Sequence, residues 1–218
     1  MLLLISSLLL MSCGADKYMK KGEKFLALGE YYDAADQFKQ AYTRTPAKER
    51  DTRGKRALKM AQCYQRINAT PKAIAAYRNA IRYNQASKED QLAYARQLLK
   101  NGDYRQAEKV FLMLKDSMPG NQLVANGLKS AQMAPEWKKQ GSRYIVKRMD
   151  VFNSRRHDYS PVLFGDDYDQ LYFTSTRNEA LGDELSGITG TKAGDIFLSE
   201  KDDRGKWSKP EAIGTGLN

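Results

Sequence analysis

The stretch Asn101-Gly102-Asp103-Tyr104-Arg105-Gln106-Ala107-Glu108-Lys109-Val110-Phe111-Leu112-Met113-Leu114-Lys115-Asp116-Ser117-Met118-Pro119 decides the fold. Asn-Gly-Asp is a turn signal. The residues after it place small and apolar side chains at Ala107, Val110, Phe111 and Leu114, the spacing of one helix face, and Pro119 stops the run. The same phase recurs twice upstream. Ala34 and Ala73 match Ala107, Phe38 and Tyr77 match Phe111, and Ala41 and Ala80 match Leu114. The anchor alanines stand 39 and 34 residues apart, against about 34 for a repeating helix hairpin. The first interval therefore carries an insertion, placed near Pro46 to Arg53.

Outward from this anchor, the small and aromatic positions resemble tetratricopeptide repeats, three of them over residues 15–121. The first, about Ala15 to Lys48, has Tyr18, Gly22 and Phe25 on its first helix and turns at Gly29-Glu30-Tyr31-Tyr32. The second, about Gly54 to Gln85, carries Ala57, Met60, Ala61 and Tyr64, with Asn68 in its turn. Its Pro71 falls where a helix start tolerates a missing N–H. The third, about Lys88 to Asn121, uses Tyr94, Ala95 and Leu98. Residues 122–140 read as a capping helix, closed by Pro135, and a linker. The resemblance implies a concave face lined by the first helix of each pair. It would present Met19, Glu23 and Leu26, then Lys55, Leu58, Gln62, Gln65 and Arg66, then Arg96, Leu99 and Lys100. Lys55, Arg66, Arg96 and Lys100 would favour a segment bearing carboxylates, through steering and orientation.

Of the 218 residues, 28% are charged and the formal net charge is +10. Residues 14–140 hold 25 Lys and Arg against 13 Asp and Glu, a net of +12, and residues 141–218 hold 11 against 13, a net of −2. A basic helical half suits an acidic protein, an anionic membrane or nucleic acid, or is simply a solvated exterior. Two cysteines, Cys13 and Cys63, stand in unlike settings and make no disulfide framework.

Residues 2–11 (Leu2 to Met11) lack charge, and their length is about half that of a membrane-spanning helix. They match the apolar region of a signal peptide. The following Leu10-Met11-Ser12-Cys13-Gly14 resembles a bacterial lipoprotein signal, although no Lys or Arg precedes the apolar run. The resemblance implies residues 1–12 as signal, residues 13–14 as lipid anchor and Cys13 as the lipid attachment site. Several acyl chains on one residue give stable anchoring. Gly14 after the cysteine favours sorting to the outer membrane.

After Gly141 the pattern changes to short runs of β-formers between turns: Arg143 to Val151, Leu171 to Ser175 and Asp195 to Ser199. Asp158-Tyr159-Ser160-Pro161-Val162, Leu171-Tyr172-Phe173-Thr174-Ser175-Thr176-Arg177, Asp195 to Ser199 and Gly205-Lys206-Trp207-Ser208-Lys209-Pro210 resemble a TolB-type β-propeller blade. The fold class expected is thus α+β multidomain, an α-helical tetratricopeptide solenoid followed by the start of an all-β propeller, with residues 141–218 as about one blade. Arg177 and Asp158 are expected to pair with each other or with backbone at the blade rim, and Trp207 to anchor its packing. The order of signal, repeats and blade is similar to Bacteroidetes outer-membrane lipoproteins of the type IX secretion and gliding kind. Those end in an OmpA-like, peptidoglycan-gripping domain that has no counterpart here, so the chain reads as the N-terminal part of a longer protein.

Catalytic patterns are absent from the sequence. His157 is the sole histidine, no H-E-x-x-H or paired C-x-x-C occurs, and there is neither a G-x-S-x-G elbow nor a phosphate loop. Asp166-Asp167 and Asp202-Asp203 sit in turns, where Asp bonds local backbone. The expectation is a non-enzymatic scaffold without cofactor or metal. It would hold an outer-membrane or periplasmic protein complex, with membrane contact through Cys13, peptidoglycan only through a further domain, and no nucleic acid. The alternative is a glycan- or peptide-binding lipoprotein that uses its propeller.

Overall fold

The computed structural model describes residues 2–182, 184–214 and 216, with side chains from Gly14 onward. The chain divides into a helical unit, which runs to Ser142 and includes Gly187–Thr189, and a β unit made of Arg143–Ser186 and the residues from Gly190 on.

Among the described residues the helical unit contains α1 (Leu2–Ala27), α2 (Tyr31–Arg44), α3 (Arg50–Arg66), α4 (Thr70–Arg82), α5 (Lys88–Asn101), α6 (Tyr104–Ser117) and α7 (Gln122–Gln140). Helices pair as α1–α2, α3–α4 and α5–α6, each pair packs on the next, and α7 covers α6. This is a solenoid of helix hairpins. Its phase is that of the sequence repeat: Ala34, Ala73 and Ala107 are fully buried, as are Phe38, Tyr77 and Phe111 beside them. The alanines let two helices approach, and the rings fill the space next to the crossing. The turns close through left-handed residues, Gly102 at φ +83° and Asn68 at φ 57°, a conformation that glycine adopts freely and asparagine tolerates.

The insertion near Pro46 to Arg53 ends in helix, where Arg50 to Arg53 form an extra turn at the start of α3. Arg56 is buried and donates to the Thr45 hydroxyl and to the Ala41 carbonyl, and pairs with Asp16 of α1. Arg53 donates to the Thr45 carbonyl. These bonds satisfy the end of α2 and hold α3 against it. Two sequence expectations change. Pro135 does not close the capping helix, because α7 continues to Gln140. A proline removes one i to i−4 bond and adds one local clash, and here the helix runs on past it. Arg143 to Val151, finally, forms no strand. Tyr144, Ile145 and Val146 are 81%, 86% and 92% exposed, so the β-forming side chains there face solvent more than a pleated surface, and packing on such a surface is what β-propensity measures.

In the β unit, β1 (Asp158–Phe164), β2 (Gln170–Ser175), β3 (Asp195–Glu200) and β4 (Glu211–Ala212) form one antiparallel sheet in the order β1-β2-β3-β4. Alternation sets its buried face: Leu171, Phe173 and Ser175 on β2, and Asp195, Phe197 and Ser199 on β3. Phe173 and Phe197 are paired in register and stacked. Trp207 packs edge-on against Phe152 at 5.2 Å, as an anchor of this core. Arg177 and Asp158 pair at 2.9 Å, both side chains more than nine-tenths buried. The guanidinium also reaches the Phe152 carbonyl and the Ser175 hydroxyl and lies about 5 Å from the ring centroids of Phe173 and Phe197. A single four-stranded meander is what these residues form. A propeller joins about four to eight such sheets, and no ring of sheets is seen among the described residues.

Candidate binding cleft of the helical unit

The first helices of the hairpins, α1, α3 and α5, carry all eleven side chains expected on the concave face, of which Leu26, Gln62, Gln65 and Arg66 line a cleft. The structure brings Gln62 and Arg66 together in one cleft of about 420 Å³, lined also by Leu26, Tyr31, Gln65, Tyr77, Glu89, Asp90 and Ala93. Met19, Glu23, Lys55, Arg96 and Lys100 lie outside this lining. Met19 packs on the core. Lys100 bonds Asn68 Oδ1 at 2.7 Å, tying α5 to the turn between α3 and α4.

The cleft's walls are held by one bond between neighbouring hairpins and one within a hairpin. Gln62 Nε2 donates to Asp90 Oδ1 at 3.1 Å, linking α3 to α5. Tyr77 Oη donates to Gln65 Oε1 at 2.6 Å, linking α4 to α3. Burial pushes the Tyr77 phenol well above its ordinary pKa, so it donates throughout the physiological range. Arg66 stays exposed, 5.8 Å from the Tyr31 ring centroid. Cys63 lies at the cleft floor, 1% exposed. Burial pushes its thiol up to about 11, against a small opposing pull from Lys59. That makes it an inert small apolar group rather than a nucleophile.

The acidic wall was not among the expected site residues. Asp90 closes a capping box at the start of α5, accepting from the Ser87 N–H while the Ser87 hydroxyl accepts from the Asp90 N–H. The Ser87-Lys88-Glu89-Asp90 run was the available signal, since Ser followed three residues later by an acid marks a helix start. With Arg66 as cation, Glu89 and Asp90 as acids, two amides and two aromatic walls, the cleft is a mixed-charge slot. It suits an extended segment with polar groups of both kinds more than a purely acidic one.

Cys13 falls in the part of α1 whose side chains lie outside the described residues, so its chemistry rests on sequence alone. No helix among the described residues is long and apolar enough to cross a membrane. In the β unit a wide depression is bordered by Arg148, Arg156 and His157. Among the described residues no three His, Cys, Asp or Glu side chains converge as metal ligands.

No protein-family model matches the chain, and no curated protein is similar to it at a significant level. Solved structures with a similar helical arrangement include the first TPR of Spaghetti (RPAP3) bound to an HSP90 peptide, 18% identical over 58% of this chain and 96% of that one, with a TM-score of 0.46. Another is the C-terminal TPR-containing domain of a Plasmodium falciparum FK506-binding protein, 14% identical over 60% and 94%, TM-score 0.49. A third is the Sgt2 TPR domain from Aspergillus fumigatus, 19% identical over 62% and 88%, TM-score 0.44.

Proposed function

We propose that this protein is a non-enzymatic scaffold whose helical unit holds a segment of another protein in the cleft between α1, α3 and α5. The observation that carries this reading is the cleft itself, a slot at the junction of three hairpins whose walls are fixed by one bond within the second hairpin and one between the second and third. A slot pre-organised in this way loses little conformational entropy when a chain is laid into it.

Within the same proposal the scaffold is tethered to the outer membrane, facing the periplasm, by lipid on Cys13. The support is the run Leu10-Met11-Ser12-Cys13-Gly14 after ten uncharged residues. Its partners are then envelope proteins, with a secretion or gliding complex of the type IX kind as the class. Peptidoglycan is reached only through a domain outside residues 1–218.

Two measurements test the two parts. A photo-crosslinking side chain at Gln62 should give a discrete protein adduct in intact envelopes, whereas the same group at Arg78 on α4, exposed and outside the cleft lining, should not. Equal labelling from both positions overturns the cleft. The N-terminal peptide of the purified protein should start at Cys13 and carry the mass of a diacylglycerol thioether. An unmodified peptide overturns the anchor.

A further inference from the structure

α1 packs on α2 through one face, where Ala15 and Gly22 are buried and Phe25 and Leu26 half-buried. The opposite side is dominated by lysines, with the exposed acids Asp16 and Glu23 at its border. Lys17, Lys20, Lys21 and Lys24 follow one another at the three- and four-residue spacing that sets side chains in a row on a helix, and all four are exposed. They line one shallow surface, bordered by Asp16. Asp16 is already paired with the buried Arg56, so its charge is engaged away from the row. Counted from Cys13, the lysines fall at +4, +7, +8 and +11, the helical register of that cysteine. At about 1.5 Å of rise per residue, the row covers about 10 Å of helix and starts one turn beyond the proposed lipid.

We infer that the Lys17, Lys20, Lys21 and Lys24 face of α1 lies flat on an anionic bilayer, as a second, electrostatic hold beside the lipid on Cys13. This rests on the anchoring part of the proposed function. The occupant is a lipid surface and not a protein because the register that aligns the lysines also brings them to the point of lipid attachment. Surface potential acts only within about a Debye length, some 8 Å at physiological salt. An upright α1 would bring only Lys17 that close, about 6 Å along the axis from Cys13, and a flat one brings all four. Long lysine stems suit the placement, since they lie along apolar surface while the ammonium reaches the headgroups. Lys21 Nζ, for instance, stands 5.6 Å from the Phe25 ring centroid.

The test is partition of the whole chain onto vesicles of phosphatidylcholine alone and vesicles with about a third phosphatidylglycerol. Each lysine near an anionic surface contributes about a fivefold factor. The wild type should therefore prefer the anionic vesicles by up to several hundredfold at low salt, a preference that shrinks as salt is added. K17Q/K20Q/K21Q/K24Q should lose it, with unchanged far-ultraviolet circular dichroism because all four side chains are exposed. The pairs K17Q/K20Q and K21Q/K24Q should lose comparable shares. No preference in the wild type, or a preference kept by the fourfold variant, overturns the inference. Loss confined to the first pair overturns the flat placement, and equally lysine-dependent binding to soluble polyglutamate overturns the choice of a lipid surface. Lipid on Cys13 adds equally to both vesicle types and cancels in the ratio. A missing lipid, read from the N-terminal peptide mass, is thereby distinguished from a missing electrostatic hold.

Discussion

Replacing Gly22 by alanine pits two effects of known size against each other at one atom. In a helix interior alanine is favoured over glycine by about 1 kcal/mol, so the change should stabilise α1 if nothing stands in the way. Something does. A Cβ built on Gly22 would lie 2.6 and 2.7 Å from Cε1 and Cδ1 of Phe38 and 3.2 Å from its Cζ, where carbon atoms settle at about 3.5–4.0 Å. Relief requires a movement of about 1 Å by a ring that is fully buried. Overpacking of this sort costs about 1–3 kcal/mol, and we expect a net loss of about 1 kcal/mol. Gly14, on the same helix, has nothing within 4 Å of its would-be Cβ. There the same substitution should be neutral or stabilising by up to about 1 kcal/mol. The assay is urea denaturation followed by circular dichroism at the helical band, with unchanged m-values as the check that only stability moved. In a Phe38→Leu background the cost of Gly22→Ala should fall, since a smaller, more flexible side chain yields. If Gly22→Ala stabilises as much as Gly14→Ala, the α1–α2 crossing is looser than described and the reasoning fails.

Two further outcomes follow from buried groups. Cys63 should resist thiol reagents in the folded protein at about pH 8 and react fully in denaturant, because burial raises its pKa to about 11 and only the thiolate attacks. Asp158 governs how the β unit responds to acid. Burial pushes its carboxyl up, but hydrogen bonds from the Ser175 hydroxyl, the Ser154 N–H, Arg177 and the Ser154 hydroxyl outweigh this and leave it lowered. A lowered folded pKa contributes stability that is present above the unfolded value of about 3.9 and lost as pH falls through the folded one. Acid titration followed by Trp207 fluorescence in a Trp137→Phe background, which removes the signal of α7, should show loss of β-unit packing only below about pH 4. Asp158→Asn should flatten that dependence, and Arg177→Met, which leaves the carboxylate buried and unpaired, should cost about 3–5 kcal/mol at neutral pH.

The repeat was legible because its physical cause is local. Wherever two helices of a hairpin touch, a small residue must meet an aromatic, so Ala34 with Phe38, Ala73 with Tyr77 and Ala107 with Phe111 announce themselves by type and spacing. The Arg177–Asp158 pair was foreseen for a similar reason, two opposite charges flanking a strand pattern. What the pattern hid depends on partners distant in sequence. Arg56 reads as one more surface cation of α3, and only the fold brings Asp16 and Thr45 to it. The cleft was half visible: Leu26, Gln62, Gln65 and Arg66 follow from repeat position, but Tyr31 reaches it because α2 packs on α3, and Asp90 because the next hairpin brings α5 within a side-chain bond of Gln62. Arg143 to Val151 misled because β-propensity describes how side chains fit a pleated surface, and there the β-forming side chains face solvent more than such a surface.

Asp90 gives the cleft an unusual form of accountability. One of its oxygens accepts the backbone N–H of Ser87 at 3.0 Å and thereby finishes the first turn of α5, while the other accepts Gln62 across the slot at 3.1 Å. The same carboxylate is thus both a brace for the helix and a face shown to any guest. A bound segment that recruited Asp90 would draw on the bond that keeps α5 from fraying, and a guest that left it alone would find the helix end intact. Occupancy of the cleft would therefore be audible at Ser87, in the exchange rate of a single amide proton at the helix start.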